Sequence, residues 1–221
     1  MRFAIKRIEQ GWSPDCEDRQ VEPGEWGVLK LGSITTGRFR EDANKALPSS
    51  LEPRREYTVR AGDVLVARAS GSPALVGKAC YVDRVTRHLL LSDKHYRIEL
   101  RLDRYDPEYF VLALNSSASR TIIEQQLSSA EGMARNIGQN VIKNIWWSVP
   151  SLETQREVVS YLKRASAPIQ SAEAKIQQSL ARLDELRSSL ITAAVTGKID
   201  PATWGRRGMT ERALASVGEL S

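Results

Sequence analysis

The side chains best placed for chemistry lie in polar stretches between apolar runs, and their types suit binding rather than bond-making. Arg38, Arg40 and Lys45 share the charged stretch 36–56, with Arg54 and Arg55 at its end. Arg68, Ser70, Ser72 and Lys78 flank the turn residues Ser70-Gly71-Ser72-Pro73. Arg135, Asn136, Gln139, Asn140 and Lys143 follow Gly132-Met133-Ala134. Cations of this kind neutralise phosphates, and Arg, Asn and Gln match the donor and acceptor pairs on base edges in the major groove. The same residues also make ordinary surface charge. The groups at 68–78 and 132–140 are the stronger candidates, because they combine cations with hydroxyls or amides. A net charge of +5 and a pI near 9.3 are compatible with a nucleic-acid partner without demanding one.

Bond-making chemistry finds little support. No glycine-rich cofactor loop or Walker A sequence is present, and no Asn/Asp-Pro-Pro-aromatic segment of an amino-methyltransferase. Pro14-Asp15 followed by Glu17 hints at a nuclease carboxylate cluster, but no suitably placed downstream acid and lysine complete it. Cys16 and Cys80 lack a CxxC or Cys/His grouping, so they read as two reduced thiols. His88 and His95, the only histidines, sit in no ligand pattern, and no metal site is expected. No run approaches the ~18 apolar residues of a membrane span, and the opening MRFAIKRIEQ lacks the apolar stretch of a secretory signal, so the expected location is cytoplasmic.

The elements that must position these loops read as mixed α and β over residues 1–150. Trp26–Leu31, Asp63–Arg68, Lys78–Val82 and the alternating His95–Arg101 have strand patterns. Asp106-Pro107-Glu108 starts a helix that runs to about Asn115. A second helix spans roughly 117–128, with Ile122, Ile123 and Leu127 on its apolar face. Residues 132–137 read as a loop and Val141–Val149 as a short strand. Trp146 and Trp147 stack on bases if exposed, or lock the following helix to the domain if buried; their apolar run favours burial of at least one.

From about Glu153 to Thr196 one helical pattern dominates. Leu162, Ile169, Ile176, Leu183 and Leu190 recur every seven residues, interleaved with Val158, Ala165, Ala172, Ser179, Leu186 and Ala193. Ser151 or Thr154 can cap its start, Thr154–Glu157 fits a capping box, Pro168 should kink it, and Gly197 suits its end. At ~1.5 Å per residue the helix is on the order of 60 Å long. Residues 1–150 are too few to cover the whole stripe, so either another chain supplies a second helix or a further part of the protein does. Its seven Lys/Arg against five Asp/Glu make a protein-facing surface rather than a phosphate tract.

These segments together resemble type I restriction–modification specificity subunits. The resemblance rests on Pro150–Val159, Leu183–Ile191 and Ala193–Lys198 for a conserved helical region. Gly62–Ser72 and Leu75–Lys78 look like a target-recognition strand and loop, and Gly132–Ile137 like the loop before the helix. Ile8–Pro14 looks like the opening of a recognition domain. The resemblance implies an α+β fold: a recognition domain at 1–150, a coiled-coil spacer helix at 151–198 and a tail at 199–221. It implies a non-catalytic, DNA-binding subunit that reads half of a bipartite duplex target. Its partners would be DNA methyltransferase subunits and a restriction subunit. This chain would bind no cofactor itself; S-adenosylmethionine and ATP with Mg would sit on those partners. Family members usually carry two recognition domains and two antiparallel helices, and this chain has one of each. The second arm then comes from an identical copy or from another half of the subunit. The competing reading is a coiled-coil adaptor whose globular domain binds protein.

Overall fold

The computed structural model describes residues 1–34, 37–128 and 136–198. Residues 132–135 of the expected 132–137 loop, with Arg135, and the expected tail at 199–221 lie outside the described residues. The chain divides into two units, Met1–Ser160 and Tyr161–Ser221.

The first unit is layered around a four-stranded sheet of order β1-β7-β4-β5, every neighbour antiparallel: β1 (Ile5–Gln10), β4 (Val64–Ala67), β5 (Ala79–Tyr81) and β7 (His95–Leu100). β4 explains the layering. All four of its residues are buried, which a strand achieves only when both faces are covered. Val64 and Val66 pack with Tyr96, Ile98 and the helical residues Phe110, Leu114, Ile123 and Ile142. Leu65 and Ala67 face the other way, onto Leu29, Ile34, Ala46, Leu89 and Leu91. Those residues come from or beside a second sheet of order β3-β2-β6: β2 (Trp26–Leu29), β3 (Asn44–Ala46) and β6 (His88–Leu90). β2 runs antiparallel to β3 and parallel to β6. The fold is α+β, with helices gathered on one side of the central sheet.

Four strand expectations hold, with Trp26–Leu31 ending early, at Leu29. β1, β3 and β6 carry no clear sequence pattern, each for a local reason. A register irregularity between Ile5 and Arg7 puts buried Ile5 and Ile8 three residues apart, which defeats a period-two reading. β3 lies inside the charged stretch 36–56, where buried Asn44 accepts from Val21 N at 3.0 Å and donates to Glu41 O at 2.7 Å. β6 is three residues long.

α1 (Pro107–Asn115) starts as expected: Asp106 Oδ1 accepts from the backbone N–H groups of Glu108 and Tyr109, both at 3.0 Å. α2 is Ser117–Ser128, with Ile123 buried. The strand expected at Val141–Val149 is instead a short helix, α3 (Gln139–Asn144), followed by extended chain. Buried Ile142 and Ile145, three apart, belong to a helical turn and its exit.

α4 (Leu152–Val195) is continuous through Pro168. Ser151, not Thr154, caps it, its Oγ accepting from Thr154 N at 3.2 Å. Within the first unit Gln155 fastens the root. It is fully buried, accepts from Asp106 N at 2.9 Å, and donates to Arg104 O at 3.0 Å and Pro150 O at 2.9 Å. In the second unit Gly197, at φ +73°, ends the helix: its N–H donates to Ala194 O and that of Lys198 to Ala193 O.

Candidate nucleic-acid interface

The central sheet brings the two stronger loop candidates to one place. β4 ends at Ala67 opposite His95, where β7 begins. From there Arg68 N donates to Lys94 O at 2.7 Å, and Ile137 N donates to Arg68 O at 2.8 Å. Ala69 and Asn136 form an antiparallel bridge. The loops after β4 and before α3, about seventy residues apart in the chain, are thus hydrogen-bonded to each other and to the turn before β7.

Arg68 organises this junction. Its Nε donates to Tyr96 Oη at 3.2 Å and its Nη1 to Asp93 O at 3.4 Å, and the guanidinium carbon lies 5.9 Å from the Tyr96 ring centre. Tyr96 Oη in turn donates to Ile137 O at 3.2 Å. Among the described residues two of the five guanidinium donors are used in this way, and Arg68, half-buried, braces the loops. Ser70 is buried, and its hydroxyl accepts from Ser72 N at 3.1 Å, shaping the loop tip; Ser72 itself is exposed. Buried Arg120 of α2 holds the far side of the loop, donating to Val76 O and to Pro73 O. Gly77 sits at φ +78° against α2, where a Cβ would come within 2.8 Å of Ile123 Cδ1.

The other candidates divide. Asn136 is exposed at the junction, and Gln139 is half-buried at the start of α3. Half-buried Lys78 lies at the base of the loop, its carbonyl accepting from Ala67 N. Lys45 lines a concavity of about 460 Å³ together with Lys30, Lys94, Ser13, Asp15 and Cys16. Lys30 and Lys45 share Asp18, at 3.0 and 3.3 Å, and their hydrogen bonds hold its carboxyl below the usual range. Arg40 is paired with Asp42 at 2.7 Å, and Arg38 is exposed on the preceding stretch. Sequence reasoning overlooked Lys30, Lys94 and Tyr96. The turn Ser92-Asp93-Lys94 was the available signal, a charged turn opening an alternating strand.

Behind the junction lies His95, fully buried, with Nδ1 2.7 Å from Ser92 Oγ and Nε2 3.3 Å from Ser33 Oγ. Burial pushes its pKa down to about 4, so at neutral pH it is an uncharged packing residue. Burial likewise raises the Cys80 thiol to about 12. No group of His, Cys, Asp and Glu able to hold a metal occurs among the described residues, and no described helix is long and apolar enough to cross a membrane.

The second candidate surface is α4. Val158 is half-buried within the first unit. Leu162, Ile169, Ile176 and Leu183 are between 39% and 62% exposed, whereas Leu186 and Leu190 are half-buried.

No family model matches the chain. It is 31% identical over 193 residues to the type I restriction enzyme EcoEI specificity subunit of Escherichia coli, covering 86% of this chain and 32% of that protein. It is 26% identical over 189 residues to the EcoKI specificity subunit of E. coli strain K12, covering 83% and 40% respectively. The chain therefore spans about a third to two fifths of these relatives' length. Among solved structures, the type I restriction-modification S subunit from M. genitalium matches with a TM-score of 0.54 at 12% identity, covering 82% of this chain and 42% of that one. A chain from a study of assembly and conformational transition in the type I R-M system matches with a TM-score of 0.50 at 17% identity, covering 85% and 42%. At these identities the structures establish a shared fold.

Proposed function

From its homology to type I restriction enzyme specificity subunits, we propose that this chain is half of such a subunit, reading one part of a bipartite DNA target. The observation that carries the reading is the junction at the end of the central sheet. There Arg68, Asn136 and Lys94 are held by backbone pairing between segments far apart in sequence. A rigid scaffold presenting cations and amides is what recognition of base edges requires. Residues 1–150 form the recognition domain and 151–198 the spacer helix.

The chain performs no bond-making step itself. Methyltransferase subunits dock on it and carry S-adenosylmethionine, and a restriction subunit brings ATP and Mg; all act in the cytoplasm. The stripe on α4 pairs with a second helix, from an identical chain or from the other half of a full subunit. An identical copy would make the target a two-part palindrome, because a two-fold protein reads a two-fold site.

Fluorescence anisotropy on bipartite duplexes at about 150 mM salt tests the reading. Sequence preference is expected from the chain with its methyltransferase subunit; equal affinity for every duplex overturns it and favours a protein-binding adaptor. Arg68→Ala separates the contributions: a brace or base contact costs affinity for the preferred sequence by about 1–3 kcal/mol, and a phosphate contact weakens all sequences alike. For the helix, Leu183→Asp with Leu190→Asp should convert an associated species to monomer in light scattering. An unchanged mass beside a wild-type dimer removes the stripe as the interface.

A further inference from the structure

The lysine-lined concavity of about 460 Å³ is built from the same parts as the loop junction. The segment Ser13–Cys16 after β1 and the turn Lys30–Gly32 after β2 supply its walls, and Ser92 and Lys94 complete the lining. Both walls are fastened to the turn before β7. Ser13 Oγ donates to Asp93 Oδ1 at 2.5 Å and accepts from Asp93 N at 3.0 Å. Ser33, next to Gly32, is joined to Ser92 through the ring of His95. The same turn receives Arg68, whose N and Nη1 donate to Lys94 O and Asp93 O. The concavity and the junction therefore share one braced turn, and Lys94 belongs to both.

Its charge is already answered by an anion. Val28 of β2 pairs with Lys45 of β3, and Lys30 lies two residues beyond Val28, so both lysines share one face of the second sheet. Their ammoniums converge on a single oxygen, Asp18 Oδ1, at 3.0 and 3.3 Å. Asp18 arrives on a strap along the outer edge of β3: Glu17 N donates to Ala46 O, and Ala46 N donates to Arg19 O. From Asp15 to Glu25 the strap carries five carboxylates and one cation, Arg19, which Glu17 and Glu25 hold at 2.8 and 2.7 Å. The Asp18 side chain is 76% exposed, so its bridge to the lysines is cheap to open. Three lysines against Asp15 leave the lining itself at +2.

We infer that a backbone phosphate of the bound duplex takes the place between Lys30 and Lys45 that Asp18 holds in the free chain, with Lys94 carrying the contact on to the junction. The inference rests on the DNA-reading proposal. A phosphodiester bears the same single charge as the carboxylate and offers the same kind of acceptor oxygen. It also releases condensed counterions when lysines neutralise it, which an internal carboxylate does not. Contacts of this kind carry no sequence information; they fix where the duplex lies relative to Arg68 and Asn136. Asp18 acts as a brake, because every duplex must displace it. The strap thus lowers affinity for all sequences alike and leaves binding dependent on the base contacts at the junction.

The test uses the full chain with its methyltransferase subunit and measures anisotropy on the preferred and an unrelated duplex across a salt series. Lys30→Gln and Lys45→Gln should each weaken both duplexes by the same several-fold factor and reduce the salt slope by about one. Lys45→Arg should recover most of the loss. Asp18→Asn should act in the opposite sense, tightening both duplexes by roughly two- to fivefold at low salt. Unchanged thermal melting should show that the variants fold. Wild-type affinity and slope in both glutamine variants overturn the phosphate site, and the wild type's sequence preference then keeps the DNA-reading proposal standing. A changed ratio between the two duplexes makes the lysines base contacts and also overturns it. Asp18→Asn at wild-type affinity or below, beside the lysine losses, overturns the displacement of Asp18. Wild-type binding without preference, with the lysine losses intact, upholds the phosphate site and strikes the base-reading proposal instead.

Discussion

Ile123 and Ile176 are the same residue on two helices, yet one is fully buried and the other is 58% exposed. On α2, Ile123 completes a core that also takes in Phe110 of α1 and Val66 of β4. On α4 beyond Tyr161, Ile176 belongs to a stripe in which Ile169 and Leu183 are equally open and Leu162 is 39% exposed. The contrast shows that an apolar pattern specifies that a surface be covered but not what covers it. In the first unit the sheets and helices of the same chain do so. In the second, the regular seven-residue spacing fits another helix.

The largest expected effect lies in the first unit. Phe110→Ala should cost about 3–5 kcal/mol in urea unfolding, because it removes a fully buried ring that also supports Trp147. A loss below about 1 kcal/mol would mean that the core around α1 is loosely packed.

Next comes pH. His95 is buried and neutral with a pKa near 4, below the ordinary value of 6.5. Between those values the unfolded chain binds more protons than the folded one, so stability falls as pH drops from about 6.5 towards 4 and levels off below that. The loss should total roughly 3 kcal/mol, and His95→Gln, which cannot titrate, should flatten that part of the profile. An equal slope in the variant would shift the cause to other groups.

At the boundary between the two behaviours, Gln155→Leu should cost about 1–3 kcal/mol by leaving Asp106 N, Arg104 O and Pro150 O without their partner. Hydrogen exchange should rise at Asp106 and along the first turns of α4. The smallest effect sharpens the comparison most. Ile176→Ala should change monomer stability by less than about 0.5 kcal/mol while weakening helix association. A large loss in the monomer would show that the stripe is already covered within one chain.

Parts of the molecule were legible where a local rule governs them. The Asp106 cap, Pro107 at the first turn of α1, the buried run of β4 and the Gly197 stop each depend on a few adjacent residues. β1 escaped because its bulge changes the side-chain period, and Val141–Val149 was misread because a six-residue helix and the extended chain after it share one apolar run. The candidate loops were recognised as groups, but nothing in their spacing told that the Arg68 side chain bonds Tyr96 and Asp93.

By itself the sequence determined that a long amphipathic helix needs a partner surface, that the preceding residues form a mixed domain, and that the chain resembles the specificity subunits its relatives turned out to be. Periodicity, caps and motif order are properties of neighbouring residues, so they survive without a structure. Only the tertiary structure decided that the loops at 68–72 and 136–138 meet at the turn before β7, and that Trp147 packs half-buried against Phe110 while Trp146 is 80% exposed. Those outcomes depend on the strand order β1-β7-β4-β5. That order is set by the packing of segments far apart in the chain, and no local spacing encodes it.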